Sequence, residues 1–235
     1  MEYKAARDII VIWTASTGEI YADYGPFSTS VTDADWKDDS TFSVCFDNGT
    51  LFHCSPTDPF VMSTFEGHQM RVNMIRWDPA GKMMASCSDD RLVRIWRLNS
   101  QTYDFSLCGH TAEVDVLCWH DTDRAILARP GSDILASSGL DNRIMLWNVK
   151  VGGMLNEIEN DDQKRIYELA WNRNGEKLAI AKADGLSFTS NQTSEIWSTP
   201  CGNRILQPTT VIEYRFVQQQ SAIPHNSSHH FLAVL

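Results

Sequence analysis

Short runs of alternating apolar and polar residues recur along the chain, and several of them end on tryptophan. "VTDADW", "VNMIRW", "VDVLCW" and "IYELAW" close on Trp36, Trp77, Trp119 and Trp171, at intervals of 41, 42 and 52 residues. Each is followed by a turn containing Asp, Asn or Gly, such as "DPAGK" or "NRNGEK". A second apolar run comes next: "TFSVCF", "MMASCS", "DILASSG" and "KLAIAKA". A third run follows in two of the units, "LVRIW" at 92–96 and "RIMLW" at 143–147. Period-two alternation bounded by turn residues predicts half-buried antiparallel strands. No stretch carries a helical period, which disfavours a helical solenoid of similar repeat length.

The one long interval can be located. Trp77 to Trp96 spans 19 residues and Trp119 to Trp147 spans 28, while His68 to Trp96 spans 28 and His110 to Trp147 spans 37. Both comparisons place nine extra residues after Trp119, where "HDTDRAILARPGSD" stands in place of "DPAGK". This is a hairpin insertion in an otherwise constant unit. A unit near 42 residues with about four strands fits a blade of a β-propeller. The expected fold is therefore all-β, a partial propeller of about five four-stranded antiparallel blades. A partial blade is expected at 1–22, fuller blades at 23–64, 65–106 and 107–156, and a degenerate one at 157–200. Because propellers remove exposed strand edges by joining into a ring, the incomplete first unit reads as a chain lacking N-terminal blades. A compact five-bladed ring is the alternative.

The pattern weakens toward the C-terminus. Asp184 follows Trp171 by 13 residues, as Asp90 follows Trp77, but the next landmark position, 190, is serine and Trp197 comes seven residues late. From 201 to 235 no blade landmark is evident. "VIEYRFV" could form one strand, and the remainder is polar and expected to be poorly ordered.

Composition narrows the function classes. The net charge is −10, which argues against broad binding of phosphate backbones and sequence-specific nucleic-acid recognition. No apolar run is long enough to span a bilayer, and "MEYKAARDIIVIW" lacks the features of a secretory signal, so an intracellular setting is expected. The six cysteines form no C-x-x-C pair, which predicts reduced, mostly buried thiols. His229 and His230 lack acidic or thiol neighbours, so no metal site is expected. "ENDDQ" reads as a solvated loop, not a calcium loop. No Gly-rich phosphate cradle is present, and no cofactor is expected.

One constellation looks chemical. His68, Ser86, Asp90 and Trp96 recur as His110, Ser137, Asp141 and Trp147, with Asp four residues after Ser and six before Trp in both sets. Ser, His and Asp together suggest hydrolysis. Repetition argues otherwise, since a catalytic triad is needed once and no strained Gly-x-Ser-x-Gly turn is present. The structural alternative is a hydrogen-bonded chain, Asp to His to Ser to the indole N–H, that pairs buried polar groups and ties three strands of a blade together. Loss of Ser86, His68 or Asp90 is then expected to lower stability by roughly 1–3 kcal/mol.

These Gly-His and Ile-Trp landmarks resemble the WD-repeat family, in which such a tetrad is a general building device. "VIWTASTGEI", "VTDADWKDDSTFSVCFDNGTLFHC" and "TFEGHQMRVNMIRWDPAGKMMASCSDDRLVRIW" are more specifically similar to the transducin-β-like (Ebi-type) F-box-like/WD-repeat corepressor subunits, over residues 8–187. Cys54 near a terminal-Trp position and the insertion after the "SCSDD…IW" blade are shared peculiarities. The resemblance implies a non-enzymatic nuclear scaffold that regulates transcription within a histone-deacetylase corepressor complex. Its implied partners are subunits of that complex, histone tails and ubiquitin machinery. A substrate receptor for ubiquitin ligation, or another signalling scaffold, is the rival. The LisH and F-box-like segments of that family have no counterpart in this sequence. The tetrad is complete only in the third and fourth blades. The second blade lacks Gly-His, as does the junction before the fifth, and in the first, Arg7 falls six residues before Trp13. Residues beside the tetrad Asp and His are expected at the loop face of the propeller, which nominates Arg71, Asp89, Glu113, Leu140 and Arg165 for partner binding.

Overall fold

The computed structural model describes residues 8–100, 102–120, 133–160, 163–172, 175–183, 185–190, 193–200 and 230–234. Most of the predicted insertion (121–132) and most of the segment after residue 200 lie outside them. The described residues form five antiparallel sheets and contain no helix.

The second blade is β3 (Val31–Asp38), β4 (Thr41–Phe46), β5 (Leu51–Ser55) and β6 (Asp58–Phe65), paired in chain order. The third is β7 (Val72–Trp77), β8 (Met84–Ser88), β9 (Leu92–Trp96) and β10 (Phe105–Cys108). The fourth is β11 (Val114–Trp119), β12 (Ile134–Gly139), β13 (Arg143–Asn148) and β14 (Gly153–Glu159). The fifth is β15 (Ile166–Trp171), β16 (Lys177–Lys182), β17 (Gly185–Ser190) and β18 (Thr193–Pro200). In that blade Trp197 lies on the fourth strand, opposite Phe188, rather than at the end of the third.

The first blade has three described strands. β1 (Ile10–Thr14) pairs with β2 (Ile20–Tyr24) on one edge and with β19 (His230–Val234) on the other. The last strand of the described chain thus completes part of its first sheet, with Ile10 opposite Val234 and Thr14 opposite His230. Within the tail that shows no blade landmark and is expected to be poorly ordered outside "VIEYRFV", this stretch is a strand.

The core lies between blades. Ile10 and Ile12 of the first meet Phe42, Val44 and Phe46 of the second. Cys45, Leu51 and Phe65 of the second meet Val72, Ile75 and Trp77 of the third. Ala85, Val93 and Ile95 of the third meet Val114, Leu117 and Trp119 of the fourth, and Val116, Ala136 and Ile144 of the fourth meet Ile166 and Leu169 of the fifth. A blade's middle strands therefore have a neighbouring blade on each face. That is why β8 is buried at all five positions, and β9 and β12 at all but their first, rather than alternating in and out as a half-buried strand would.

Candidate interaction surface and the frame that holds it

In the third blade, Ser86 is fully buried on β8 and faces the end of β9. Trp96 Nε1 donates to Ser86 Oγ at 2.7 Å, and Ser86 Oγ lies 2.7 Å from His68 Nε2. His68 Nδ1 lies 2.8 Å from Asp90 Oδ2. Asp90 also accepts backbone N–H groups from Gln69 (3.1 Å) and Leu92 (3.0 Å). The fourth blade repeats the arrangement. Trp147 Nε1 donates to Ser137 Oγ at 2.8 Å, Ser137 Oγ is 2.8 Å from His110 Nε2, and His110 Nδ1 is 2.9 Å from Asp141 Oδ2. Thr111 N–H (2.8 Å) and Arg143 N–H (3.2 Å) complete the Asp141 carboxylate. One proton assignment satisfies every group: neutral His donates through Nδ1 to Asp and accepts at Nε2 from the serine hydroxyl.

Electrostatics agree with that assignment. Burial pushes the His68 imidazole below its ordinary value of 6.5 and outweighs the opposing pull of Asp90. Burial would raise the Asp90 carboxyl, but hydrogen bonds from His68, Gln69 and Leu92 hold it below its ordinary 3.8. Asp141 is lowered in the same way, its burial outweighed by bonds from His110, Thr111 and Arg143. The geometry resembles a catalytic triad, yet Ser86 and Ser137 are each 0 % exposed and already accept an indole N–H. Both sit where substrate cannot reach the oxygen.

The second blade, which lacks Gly-His, uses a different pair. Ser43 Oγ lies 2.9 Å from His53 Nδ1 and accepts Trp77 Nε1 at 3.2 Å, so the serine on its second strand is bridged to the next blade instead of to its own Trp position, where Cys54 stands. Of the described cysteines, Cys45, Cys54 and Cys87 are buried, Cys118 is half-buried and Cys108 is exposed.

Backbone bonds tie the loops at one end of the blades. Asp89 N–H donates to Arg71 O (3.0 Å), Leu140 N–H to Glu113 O (2.8 Å) and Ala183 N–H to Arg165 O (3.1 Å). In each blade this bond ties the turn between the second and third strands to the entry of the first. Gly139 permits the approach in the fourth blade, since a Cβ there would lie 2.3 Å from Glu113 O. The five nominated residues therefore share one end of the molecule. Arg71, Glu113, Leu140 and Arg165 are exposed and Asp89 is half-buried.

A polar chain connects three of these blades. Asp89 Oδ1 accepts from Asn73 Nδ2 at 2.7 Å, Asn73 Nδ2 reaches Val114 O at 3.0 Å and Asp115 Oδ1 at 3.4 Å, and Asp115 Oδ2 pairs with Arg165 Nη2 at 2.8 Å. Asn73 and Asp115 were not among the nominated residues. Their signal was available, for each is the polar second residue of a Trp-ended strand run ("VNMIRW", "VDVLCW"). Tyr167 holds the same place in the fifth blade, with the Arg165 guanidinium 5.9 Å from its ring. Met70, beside Arg71, adds an exposed apolar side chain.

Deeper along the inner strands, carboxylates bridge blades. Asp33 Oδ2 accepts Ile75 N–H (3.0 Å) and pairs with Arg76 Nη1 (2.6 Å), and Asp35 Oδ2 accepts Trp77 N–H (2.7 Å). Burial pushes the Asp35 carboxyl up to about 6 despite Arg76 and that N–H. Among the described residues, no group of three or more His, Cys, Asp or Glu is placed to hold a metal ion.

The comparisons with known proteins agree with this architecture. The family model "WD domain, G-beta repeat" matches residues 60–97 and 101–148, which carry the two complete tetrads. The chain is 31 % identical over 166 residues to the F-box-like/WD repeat-containing protein TBL1X of Mus musculus, covering 70 % of this chain and 31 % of that protein. It is 30 % identical over 153 residues to the WD40 repeat-containing protein HOS15 of Arabidopsis thaliana, covering 63 % of this chain and 24 % of the relative. The chain thus spans about a quarter to a third of the length of these relatives. A chain in a crystal structure of a mitotic checkpoint complex superposes with a TM-score of 0.69 at 21 % identity, over 81 % of this chain and 59 % of that one, which speaks to the fold alone. The chain carries WD repeats at 60–97 and 101–148 and folds as the four-stranded blades of a β-propeller, and it resembles the transducin-β-like F-box-like/WD-repeat proteins.

Proposed function

We propose that the chain is a non-enzymatic scaffold that binds proteins at the loop end of its third to fifth blades, and that it acts in the nucleus within a histone-deacetylase corepressor complex that regulates transcription. The observation that carries the binding surface is the polar chain Asp89–Asn73–Asp115–Arg165, three of whose members stand on the two blades held by tetrads. A rigid frame of this kind presents side chains at little conformational cost, which is what a docking surface requires. Exposed Arg71, Met70 and Leu140 beside it supply the cationic and apolar contacts that concentrate binding energy at interfaces. The corepressor setting rests on similarity to TBL1X and HOS15.

The test is affinity purification of the tagged chain from nuclear and cytoplasmic fractions. Deacetylase-complex subunits should co-purify from the nuclear fraction, and Arg71→Glu with Leu140→Asp should remove them while leaving thermal stability intact. A cytoplasmic capture without any such subunit would overturn the corepressor setting. A ligase adaptor as dominant partner would favour the substrate-receptor reading.

A further inference from the structure

We infer that the outer edge of β6 receives an extended segment of a partner protein as a fifth strand of the second blade, and that this segment carries cationic residues at both ends of an uncharged stretch.

β6 is the outermost strand of its sheet and pairs with β5 alone among the described strands. Its outward N–H and C=O groups are therefore open to another strand. Natural sheets blunt such edges with short strands, charges, proline or bulges. The outer strands of other blades use two of these devices. β2 and β10 are short, at five and four residues, and β14 carries Glu157 and Glu159. β6 runs for eight residues, and "FVMSTF" at 60–65 holds no charge. Pro59 and the register shifts between His53 and Ser55 disturb only its first half. Beyond them Ser63, Thr64 and Phe65 stand in register with His53, Phe52 and Leu51.

The strand is anchored at both ends and apolar between. The Tyr24 hydroxyl of the first blade reaches Asp58 O at 3.1 Å. Phe65 is buried against Trp96 of the third blade, with ring centroids 5.6 Å apart. Between these anchors Phe60 is 76 % exposed and Met62 55 %, and Val61 and Thr64 are exposed beside them. An added strand covers these side chains and pairs the open backbone groups together, main-chain bonds giving affinity and side chains giving selectivity.

Charge identifies the chemistry of that strand. Residues 38–70 contain five carboxylates and no Lys or Arg. In other blades, acidic groups at the outer strand are neutralised locally. Asp104, just before β10, pairs with Arg97 at 2.9 Å, and Glu157 on β14 pairs with Arg143 at 2.9 Å. Asp58 and Glu66 lie at the two ends of β6, eight positions apart, and both are exposed. Neither has a cationic partner among the described residues. Opposite charges facing each other across a strand pair are favourable, and like charges are not. A second copy of this chain fits poorly, because antiparallel self-pairing of β6 about Met62 sets Asp58 against Glu66 at both ends. A segment of another protein with Lys or Arg about eight positions apart and uncharged, β-prone residues between them fits both the ends and the middle.

The probe is the peptide Lys-Thr-Val-Thr-Val-Thr-Val-Thr-Lys with blocked termini, titrated into the isotope-labelled full chain and followed by amide NMR. The amides of 61–66 should shift saturably and gain cross-peaks to the peptide backbone. Replacing both peptide lysines with glutamate should weaken binding by about tenfold or more, since two attractive pairs become two repulsive ones. N-methylation of alternate peptide amides should abolish binding in one of its two phases and spare it in the other, because only one edge of the peptide meets β6. Asp58→Asn with Glu66→Gln should erase the preference for lysine over glutamate at unchanged melting temperature. Shifts confined to the loop end around Arg71 and Leu140, equal binding of the two peptides, no binding at millimolar peptide, or dimerisation of the chain through β6 in sedimentation would overturn the inference.

Discussion

Ser137 and Ser138 are neighbours on one strand, both 1 % exposed or less, and replacing each with alanine removes the same single oxygen. Their surroundings differ. Ser137 Oγ accepts from Trp147 Nε1 and contacts His110 Nε2, both at 2.8 Å, and Trp147 and His110 are themselves buried. Ser137→Ala leaves an indole donor and an imidazole acceptor facing a void the size of one oxygen, too small for water to enter. An unsatisfied buried polar group costs about 1–3 kcal/mol. Two such groups in one network lose less than the sum, which places Ser137→Ala at about 2–4 kcal/mol of destabilisation. Ser138 Oγ has no hydrogen-bond partner. Ser138→Ala removes a stranded hydroxyl and should be neutral or stabilising by up to about 1 kcal/mol. Urea unfolding followed by tryptophan fluorescence and circular dichroism, with slopes compared, measures both. Equal costs at the two positions, or a greater cost at Ser138, would refute the tetrad as a stabilising device.

Acid should loosen the tetrads. The folded His68 pKa lies below 6.5, so its contribution is complete above that pH and is lost as pH falls toward the folded value; Asp90 and Asp141, held below 3.8, lose theirs at still lower pH. Stability measured at pH 8, 6 and 4 should therefore decline, with a shallower slope between 6 and 4 in His68→Ala; identical slopes would contradict the assignment. Asp35 behaves oppositely. Its folded carboxyl titrates near 6 rather than 3.8, so the stability it contributes is present below 3.8 and lost as pH rises through about 6. Asp35→Asn keeps an acceptor for Trp77 N–H and should raise the melting temperature at pH 8 but not below pH 4. Gly175 has φ +68°, and a Cβ there would fall 1.9 Å from His120 Nε2. Gly175→Ala should cost more than the usual ~1 kcal/mol range of a strained turn, as read by melting temperature, and an unchanged value would show that His120 moves freely.

What was legible in the sequence was whatever repeats. The Trp-ended runs became β3, β7, β11 and β15, and the Ser-x-x-x-Asp spacing marked groups that meet within 3 Å in both blades. Features that depend on a neighbouring blade were harder to read. Asp33 to Ile75, Asn73 to Val114 and Asp115 to Arg165 join residues about one repeat apart, and a pattern inside one unit cannot show them. The Ser43–His53 pair was hidden because it departs from the repeat. β19 was hidden because a five-residue strand flanked by polar sequence has little signal until its partner, β1, is known.

That pairing sets an order for synthesis. Ile10 and Val234 are partners, yet Val234 emerges from the ribosome more than two hundred residues after Ile10. The second to fifth blades can each assemble from local hairpins as they appear, which is fast. β1 and β2 cannot. Their apolar residues Ile10 and Ile12 can pack on the second blade, but the edge of β1 away from β2 stays unpaired until β19 arrives. An open strand edge is a site of wrong pairing. Chaperone dependence and sensitivity to loss of β19 should therefore concentrate at β1 and β2.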